Sequence, residues 1–297
     1  MRHYRRLREL RSNLKQLIQN LNNGQTSVVD IPKPSIGKNE VLIQSTYSVI
    51  SAGTERMLLD FGKSNWLSRA KKHPEKVEQV LTKIKTDGLV STIESVQSKL
   101  DQPIPLGYSN VGIVIDKGSD VAELKKGDRV LSNGCHAEIV AVGKNLCCKI
   151  PDNVSDQEAS FGVIAAIALQ SVRLAETTIG ETFVVMGLGL VGLFAVQILK
   201  ASGCNVLCTD FDAKRLDIAK SYGAIPINLA ETNNLVEQVA SLTNGQGCDG
   251  VIIATATDSN EPMRAAAEVS RKKGRIVLVG VTGLELRRED FYEKELS

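Results

Sequence analysis

The stretch that decides the fold is FVVMGLGLVGLFAVQIL, residues 183–199, which lies in the longest uncharged run of the chain. A helix that crosses a bilayer needs about 20 apolar residues, whereas this run is shorter and is interrupted by Gly187, Gly189 and Gly192. The residues before Gly187, TFVVM, are apolar and β-branched, which predicts a strand buried on both faces. The segment after Gly192, LFAVQILKASG, predicts a helix that ends at Gly203. We therefore interpret the stretch as strand, turn and helix, and not as a membrane anchor.

A glycine-rich motif stands between the predicted strand and helix: Gly187-Leu188-Gly189-Leu190-Val191-Gly192, which has the form G-x-G-x-x-G. Gly187 is expected to allow a sharp turn, Gly189 to let a pyrophosphate approach the backbone, and Gly192 to let helix and strand pack closely. The helix N-terminus would present free N–H groups and the positive end of its dipole to the phosphates. All six residues are therefore predicted to bind a dinucleotide.

A carboxylate follows at the spacing that such a site requires. The next predicted strand, NVLCTD, ends at Asp210, 18 residues after Gly192. A carboxylate there can accept hydrogen bonds from both hydroxyls of an adenosine ribose, and it would repel a 2′-phosphate. This predicts NAD as the cofactor, while Lys214 and Arg215 leave NADP open, and Arg215 joins the cofactor-binding candidates. The alternative role for Asp210 is a cap at the N-terminus of the following helix.

Strands and helices continue to alternate to residue 280, which predicts a doubly wound parallel sheet with right-handed crossovers. The predicted strands are AIPIN, DGVIIATA and RIVLVG, and the predicted helices are NLVEQVASLTN and EPMRAAAEVSRKKG. Before residue 150 the pattern changes to short strands, beginning with a hairpin around Asn23-Gly24. A helix from Asp156 to Ala175 is predicted to connect the two parts. The fold class is α/β, with a parallel-sheet domain and a β-rich partner domain.

Composition limits the classes of function. Hydrophobic residues make up 42% of the chain and charged residues 24%, as in globular proteins that bury a core. The net charge of +2 does not point to a nucleic-acid or anionic-membrane partner. The six cysteines form no CxxC pair, and the N-terminal residues contain no apolar signal segment. These features predict a cytoplasmic protein with reduced thiols, and they leave a homo-oligomer open.

Six segments, in this order, resemble the medium-chain dehydrogenase/reductase superfamily, the alcohol dehydrogenase-like proteins. They are VLIQSTYSVIS, GYSNVGIV, LKKGDRV, AEIVAV, GLGLVG and AKSYGA. The resemblance runs from about residue 14 to the end, and it implies a GroES-like catalytic domain, a Rossmann domain and a reaction in the cleft between them. The boundaries predicted on this basis are a basic extension at 1–13, a GroES-like domain at 14–152, a Rossmann domain at 153–286 and the start of a return segment at 287–297.

The resemblance also implies positions for a catalytic zinc, and the sequence departs from them. Ser51, Tyr108 and Val163 stand where the metal-using members have a Cys, a His, and a Cys or Glu. A hydroxyl, a phenol with a pKa of about 10 and a valine do not make a tetrahedral N/S site. The lobe for a structural zinc is absent from the sequence, and Cys135-His136, as neighbours in a predicted strand, should point to opposite faces. We therefore predict no zinc and no other metal.

Two further departures concern the length of the chain. Residues 60–102 are an insertion with two predicted amphipathic helices. It is similar to an insertion in the bi-domain oxidoreductases of bacterial surface-polysaccharide clusters, where a zinc-less dehydrogenase unit precedes a second oxidoreductase domain. Superfamily members continue beyond GLELRREDFYEKELS into a return segment that this sequence lacks. The chain is therefore interpreted as a fragment of a form in which a second oxidoreductase domain could follow.

The implied reaction is hydride transfer between C4 of a nicotinamide and a carbon next to oxygen, or a conjugated alkene. Without a metal, a developing oxyanion needs hydrogen-bond donors. The candidates at the family's active-site positions are Tyr108, Ser51, Thr54, Ser109 and Glu55. Tyr108 is the donor or general acid, unless its ring only fills the space of the metal. Glu55 is either an orienting carboxylate that faces Arg56 or Arg129, or a surface charge.

The leading hypothesis is an NAD(H)-dependent, zinc-independent oxidoreductase that acts on a small-molecule alcohol or carbonyl substrate. The resemblance alone implies a sugar or sugar-nucleotide. An enoyl or quinone reductase is the alternative within enzymes. A nucleotide- or RNA-binding module without turnover is the alternative of another class, suggested by the basic segment at residues 63–85.

Overall fold

The structure, a computed structural model, describes residues 13–20, 23–56, 103–232 and 234–297. The chain divides into two compact units, residues 1–163 and 164–297. The predicted basic extension, apart from Asn13, and the helices predicted within residues 60–102 lie outside the described residues. Within the described ranges, no helix is both long and apolar enough to span a membrane.

The first unit is β-rich. Its strands are β1 (Asn13–Gln19), β2 (Thr26–Pro32), β3 (Glu40–Ser48), β4 (Ile104–Pro105), β5 (Asn110–Lys117), β6 (Arg129–Ser132), β7 (Ile139–Gly143) and β8 (Cys147–Lys149), with a 3₁₀ turn at Lys144–Leu146. They form two antiparallel sheets, ordered β2-β1-β4 and β7-β3-β5-β6-β8. The predicted hairpin is present as β1 and β2, and Gly24 in its turn has a φ of +68°, a conformation that glycine adopts without steric cost.

The core of the first unit forms around β3, the strand that pairs with both β5 and β7. Val41 and Ile43 are completely buried, and they pack with Val114, Val130 and Val140 from the neighbouring strands. These β-branched side chains suit a pleated, half-buried surface. This core packs around β3, and the segment with Ser51, Thr54 and Glu55 follows that strand.

The connecting helix differs from the prediction, because it is broken. Two helices, α1 (Asp156–Ala159) and α2 (Gly162–Leu174), replace the continuous helix predicted from Asp156 to Ala175. Ser155 and Glu158 form a capping box that starts α1. At the break, the backbone carbonyl of Ser160 accepts a hydrogen bond of 2.5 Å from the Ser109 hydroxyl. The prediction was wrong here because this partner is 51 residues away in the chain and leaves no trace in the local pattern.

The second unit is a five-stranded parallel sheet with helices, so the predicted doubly wound α/β architecture is confirmed. Its strands are β9 (Thr182–Met186), β10 (Asn205–Asp210), β11 (Ile225–Asn228), β12 (Cys248–Ile253) and β13 (Ser270–Leu278), in the order β11-β10-β9-β12-β13. The helices that follow α2 are α3 (Leu190–Ala201), α4 (Ala213–Ser221), α5 (Leu235–Leu242), α6 (Glu261–Val269) and α7 (Arg288–Tyr292).

The apolar strand β9 lies at the centre of this sheet. Along β9, Phe183 and Val185 belong to one apolar cluster, while Val184 and Met186 belong to a second. All four side chains are buried, with at most 4% exposed. Because successive side chains of a strand point to opposite faces, a strand covered on both sides is apolar at every position. This explains why TFVVM shows no alternation of polar and apolar residues.

The last strand begins earlier than predicted. The segment EPMRAAAEVSRKKG was predicted to be helical throughout, but α6 ends at Val269 and β13 begins at Ser270. The helix end is fixed by Lys294, whose ammonium group donates hydrogen bonds of 2.7–2.9 Å to three carbonyls, those of Ala267, Glu268 and Ser270. Carbonyls in the last turn of a helix lack partners within the helix. A lysine distant in sequence satisfies them here, and the local pattern does not reveal it.

Candidate dinucleotide and reaction-site residues

The three glycines of the motif meet three different surroundings. Gly187, after β9, has a φ of +89°, the left-handed region that favours glycine. A Cβ atom at Gly192, in the first turn of α3, would collide with the carbonyl oxygen of Gly187. A Cβ atom at Gly189 would meet no atom within 4 Å among the described residues. The fold itself thus requires Gly187 and Gly192, whereas Gly189 faces open space.

The start of α3 offers free amide groups beside that space. Gly189 is the N-cap residue of α3, and no side chain in the described part of the chain caps it. The first N–H groups of a helix have no partner within the helix, and they carry the positive end of its dipole. Leu188 is buried in the apolar core, and Val191 packs against the same cluster. Leu190 is partly exposed. Their binding to a dinucleotide remains a prediction.

Asp210 lies at the end of β10 and turns its carboxylate toward the glycine corner, the turn at residues 187–189. Its Oδ2 accepts a hydrogen bond of 2.7 Å from the Leu188 amide, and its Oδ1 accepts one of 3.0 Å from the Asp212 amide. The alternative role as a helix cap is wrong, because Asp212 is the N-cap residue of α4 and accepts from the Lys214 amide at 2.9 Å. The side chain of Asp210 is 10% exposed. It joins the motif to the adjacent strand.

Arg215 lies next to this carboxylate. Its Nη1 is 3.7 Å from Asp210 Oδ2, and its Nε is 3.6 Å from Asp212 Oδ2. The guanidinium is about half exposed, so each contact is a weak surface ion pair. The predicted site therefore contains both a carboxylate that suits ribose hydroxyls and a half-exposed cation that suits a phosphate.

In the first unit, a short helical turn at residues 52–56 follows β3 and carries two of the predicted reaction-site residues. The Glu55 amide donates to the Ser51 carbonyl at 2.9 Å, which closes the turn. The hydroxyl oxygens of Thr54 and Tyr108 are 3.3 Å apart. The structure therefore brings these two candidates together as a hydrogen-bonded pair, with Thr54 exposed and Tyr108 partly buried.

Glu55 does not have the surroundings predicted for it. It is 5% exposed, so it is not a surface charge, and its described partners include the imidazole of His136, at 3.2 Å from Oε2 and 3.3 Å from Oε1. Arg129 forms an ion pair with Asp156 instead, 2.6 Å from Nη2 to Oδ1. The prediction that Glu55 faces Arg129 is therefore wrong, and the carboxylate is held inside the first unit by a histidine.

His136 is the residue that the sequence analysis missed. Cys135 and His136 were placed in a strand, but they lie in the loop between β6 and β7. Cys135 Sγ accepts a hydrogen bond from Gln16 at 3.1 Å, while the Nδ1 atom of His136 is 2.8 Å from the Ser48 hydroxyl. The ring lies against Gly107, where a Cβ atom would be 2.6 Å from it.

Ser51 and Ser109, the other two candidates, are both buried, at 5% and 1% exposed. The Ser51 amide donates to Glu55 Oε1 at 2.9 Å. The Ser109 hydroxyl donates to the Ser160 carbonyl and so is engaged at the break between α1 and α2. A group already committed to a buried carbonyl is poorly placed to donate to a substrate, so the geometry does not support the predicted role of Ser109.

The side chains at the positions where metal-using members hold zinc, Ser51, Tyr108 and Val163, do not fit a zinc ion. Within the described ranges, no group of three or more His, Cys, Asp or Glu side chains is arranged to hold a metal. Glu55 and His136 are two possible metal ligands near Ser51, and each already has hydrogen-bond partners. Burial raises the pKa of the Cys135 thiol, which disfavours the thiolate that zinc binds. A closed tetrahedral site of nitrogen and sulfur ligands needs four such donors.

Comparison with known families matches each half of the chain. The alcohol dehydrogenase GroES-like domain family matches residues 77–177, and the zinc-binding dehydrogenase family matches residues 191–297. The second match lies within the parallel-sheet second unit, and the first covers the strands of the β-rich unit from β4 onward and continues to residue 177. Each half of the chain is therefore similar to one of the two domain families of the medium-chain dehydrogenases/reductases. The resemblance of the chain to the zinc-less branch and to bi-domain oxidoreductases remains a prediction.

Among its relatives, the (R,R)-butanediol dehydrogenase of Bacillus subtilis is 26% identical over 224 residues, 65% of this chain and 64% of that protein. The L-idonate 5-dehydrogenase of Vitis vinifera is 27% identical over 219 residues, 62% of this chain and 60% of that protein. The matched part of the chain thus spans less than two thirds of the length of these relatives.

Solved structures share the fold. The crystal structure of 2R,3R-butanediol dehydrogenase from Bacillus subtilis has a TM-score of 0.74 at 21% identity, and the match covers 95% of this chain and 82% of that one. A short chain alcohol dehydrogenase from Escherichia coli CFT073, complexed with NADH, has a TM-score of 0.75 at 22% identity and covers 97% of this chain and 82% of that one.

Proposed function

We propose that this chain carries the two halves of a nicotinamide-dependent, zinc-independent oxidoreductase that prefers NAD(H) and acts on an alcohol or carbonyl carbon. One observation carries the proposal: the open space at Gly189, with the Asp210 carboxylate at the end of the adjoining strand. Free helix amides beside open space suit a pyrophosphate, and a carboxylate at the end of the next strand suits the adenosine ribose.

The preference for NAD rests on Asp210. Its carboxylate can accept from ribose hydroxyls, whereas the 2′-phosphate of NADP would bring two negative groups together. Arg215 supports the competing cofactor, because a guanidinium pairs well with phosphate. Arg215 is about half exposed and already lies near two carboxylates. We therefore place NAD first and NADP second.

The chain's own groups would stabilise charge on the substrate oxygen. The nicotinamide, when bound, supplies or accepts the hydride. The Thr54 and Tyr108 hydroxyls form a pair in which either oxygen can donate, so one of them remains able to donate to a substrate oxygen while it accepts from the other. Oriented donors of this kind stabilise a developing oxyanion. Zinc independence rests on the donor set, since Ser51, Tyr108 and Val163 do not supply zinc ligands.

The substrate proposal draws on the relatives. They are named for butanediol and L-idonate, molecules with hydroxyls on neighbouring carbons. We propose a polyol or a sugar-like substrate for this chain, oxidised at one hydroxyl or reduced at the matching carbonyl. The possibility of a sugar-nucleotide comes from the resemblance to bi-domain oxidoreductases and is tested with the same panel.

Nucleotide binding is the first test. The chain is titrated with NADH and with NADPH while nicotinamide fluorescence is followed, and a Gly189→Val variant is compared with a Gly143→Val control. Both glycines have open space for a Cβ atom and backbone conformations that any residue adopts. We expect Gly189→Val to lose NADH binding and Gly143→Val to keep it. Equal affinity in both variants would remove the basis of the proposal.

Metal content and turnover form the second test. The purified chain is analysed for zinc and assayed with NAD and 2,3-butanediol, sorbitol and sugar-nucleotides, and with NADH and the matching carbonyl compounds or a quinone. Turnover of an alcohol or carbonyl without zinc is expected. One zinc per chain overturns the metal-free mechanism. Tight NADPH binding without NADH binding overturns the cofactor preference, and turnover of the quinone alone assigns the chain to the quinone reductases.

A further inference from the structure

Three separate segments of the first unit meet at one imidazole ring. His136 comes from the loop between β6 and β7, and its Nδ1 lies 2.8 Å from the hydroxyl of Ser48, at the end of β3. Its Nε2 lies 3.2 Å from the carboxylate of Glu55, on the turn at residues 52–56. Its ring lies against Gly107, where a Cβ atom would be only 2.6 Å away. The ring therefore touches every segment that carries a proposed reaction-site residue.

The hydrogen bonds form a continuous series through the ring, from the Ser48 hydroxyl to the Glu55 carboxylate. A carboxylate accepts only, so His136 Nε2 donates to Glu55, and the Ser51 amide donates to Glu55 Oε1 at 2.9 Å. In a neutral imidazole the other nitrogen then accepts, and its partner is the Ser48 hydroxyl. Every donor in this series of hydrogen bonds therefore faces an acceptor.

Because the ring and the carboxylate are buried, loss of one of these hydrogen bonds would cost free energy. The side chains of His136 and Glu55 are 10% and 6% exposed. A carboxylate withdrawn from water costs free energy unless donors surround it, and removal of one partner leaves that cost uncompensated. Without His136, the turn at 52–56 would lower its free energy by moving Glu55 toward water. Thr54 is the adjacent residue of the same turn, so it would move as well.

Movement of Thr54 would change its contact with Tyr108, the proposed donor. Its hydroxyl oxygen is 3.3 Å from that of Tyr108, which is near the limit for a hydrogen bond. We propose that His136 is a positioning residue that holds Glu55, and with it the turn at 52–56, so that Thr54 stays paired with the proposed donor Tyr108. The role in turnover rests on the proposed function, whereas the geometric role does not.

The first experiment separates the two bonds of the ring. His136→Ala removes both. His136→Gln places an amide where Nε2 stood and can still donate to Glu55, while His136→Asn places an amide where Nδ1 stood and keeps only the Ser48 contact. We expect kcat to fall roughly 10- to 100-fold in the Ala and Asn variants. The Gln variant should recover most of it, and the KM for NADH should not change. Equal kcat values for the Gln and Asn variants would overturn the proposal.

A matched control accounts for general destabilisation. Arg129→Gln breaks another ion pair of the same unit, the partly exposed pair with Asp156, and Arg129 has no described contact with the turn at 52–56. We expect this control to lower Tm while kcat stays near that of the wild type. A kcat loss of the same size in both variants would make His136 merely structural and would contradict the proposal.

A readout without turnover keeps the inference separate from the proposed function. The five tyrosines are labelled as 3-fluorotyrosine, and the ¹⁹F resonance of Tyr108 is assigned with Tyr108→Phe. We expect it to shift or broaden in His136→Asn but not in His136→Gln or Arg129→Gln. A Tyr108 signal that is unchanged in folded His136→Asn overturns the positioning role, even if the chain turns over a substrate. A changed signal supports it even if no nicotinamide binds.

Discussion

The carboxylate of Asp210 accepts a hydrogen bond of 2.7 Å from the backbone amide of Leu188. The end of β10 is therefore bonded to the glycine corner that follows the neighbouring strand, β9. The same carboxylate is the group proposed to select the cofactor. A change at Asp210 should therefore affect both the conformation of the corner and the choice between two nucleotides.

Asp210→Asn tests that selection. The amide can still accept from Leu188, but it no longer repels a 2′-phosphate and it accepts more weakly from ribose hydroxyls. We expect NADH binding to weaken about tenfold, the effect of one charge-assisted hydrogen bond, and the ratio of the NADH and NADPH dissociation constants to move toward NADPH. Asp212→Asn removes the same charge two residues away and should leave that ratio nearly unchanged. Equal shifts in both variants would argue against a specific role for Asp210.

Gly192→Ala should act on stability. Its Cβ atom would collide with the Gly187 carbonyl, and the close contact between backbones leaves no flexible side chain to move. Overpacking of this kind costs about 1–3 kcal/mol. We expect a lower urea midpoint for the second unit, whereas Gly189→Ala, which points into open space, should leave the midpoint unchanged. Urea unfolding followed by circular dichroism measures both, and the reverse order would contradict the assignment of the two glycines.

Tyr108→Phe and Thr54→Val test the hydroxyl pair. If the pair donates to the substrate oxygen, loss of either hydroxyl should lower kcat by roughly 10²–10³, as for removal of one oxyanion donor. The double variant should be little worse than either single variant, because the two groups act as a unit. Steady-state kinetics with saturating NAD measure this. Independent and additive losses would indicate that the two hydroxyls act separately.

Thiol ionisation should make the protein less stable in alkaline solution. Burial raises the pKa of Cys208 and of Cys248 to about 12, whereas an unfolded thiol ionises near pH 8.5. The unfolded state binds fewer protons between these values, so the free energy of unfolding falls as pH rises, by about 1.4 kcal/mol per pH unit for each such thiol. We expect the urea midpoint to decline between pH 9 and 11, and less steeply in Cys208→Ala. An identical slope in that variant would refute the assignment.

The sequence predicted those parts of the fold whose causes are local. The strand at Thr182–Met186, the turn at Gly187 and the strand ending at Asp210 follow from apolar runs, glycine and spacing, and all are present. The break in the connecting helix and the end of α6 were not predicted, because the groups that bond there, Ser109 and Lys294, lie far away along the chain.

The reaction-site residues were less predictable for the same physical reason. Glu55 and His136 are 81 residues apart, and neither a period nor a motif links them. Nothing in the order of the residues favours His136 over the arginines as the partner of a buried carboxylate. A glycine at position 107, with its φ of +91°, marks the place where the ring fits, but its role becomes visible only when the ring is next to it.

Lys294 has a practical consequence for work with this protein. One ammonium group serves three carbonyls at the end of α6, and three hydrogen-bonded acceptors depend on one titratable nitrogen. Acylation of that nitrogen would leave it one N–H in place of three. Amine-directed labelling or crosslinking at Lys294 would therefore remove hydrogen bonds from the C-terminal end of α6, although no residue of α6 is modified. Probes intended for the second unit belong on other lysines.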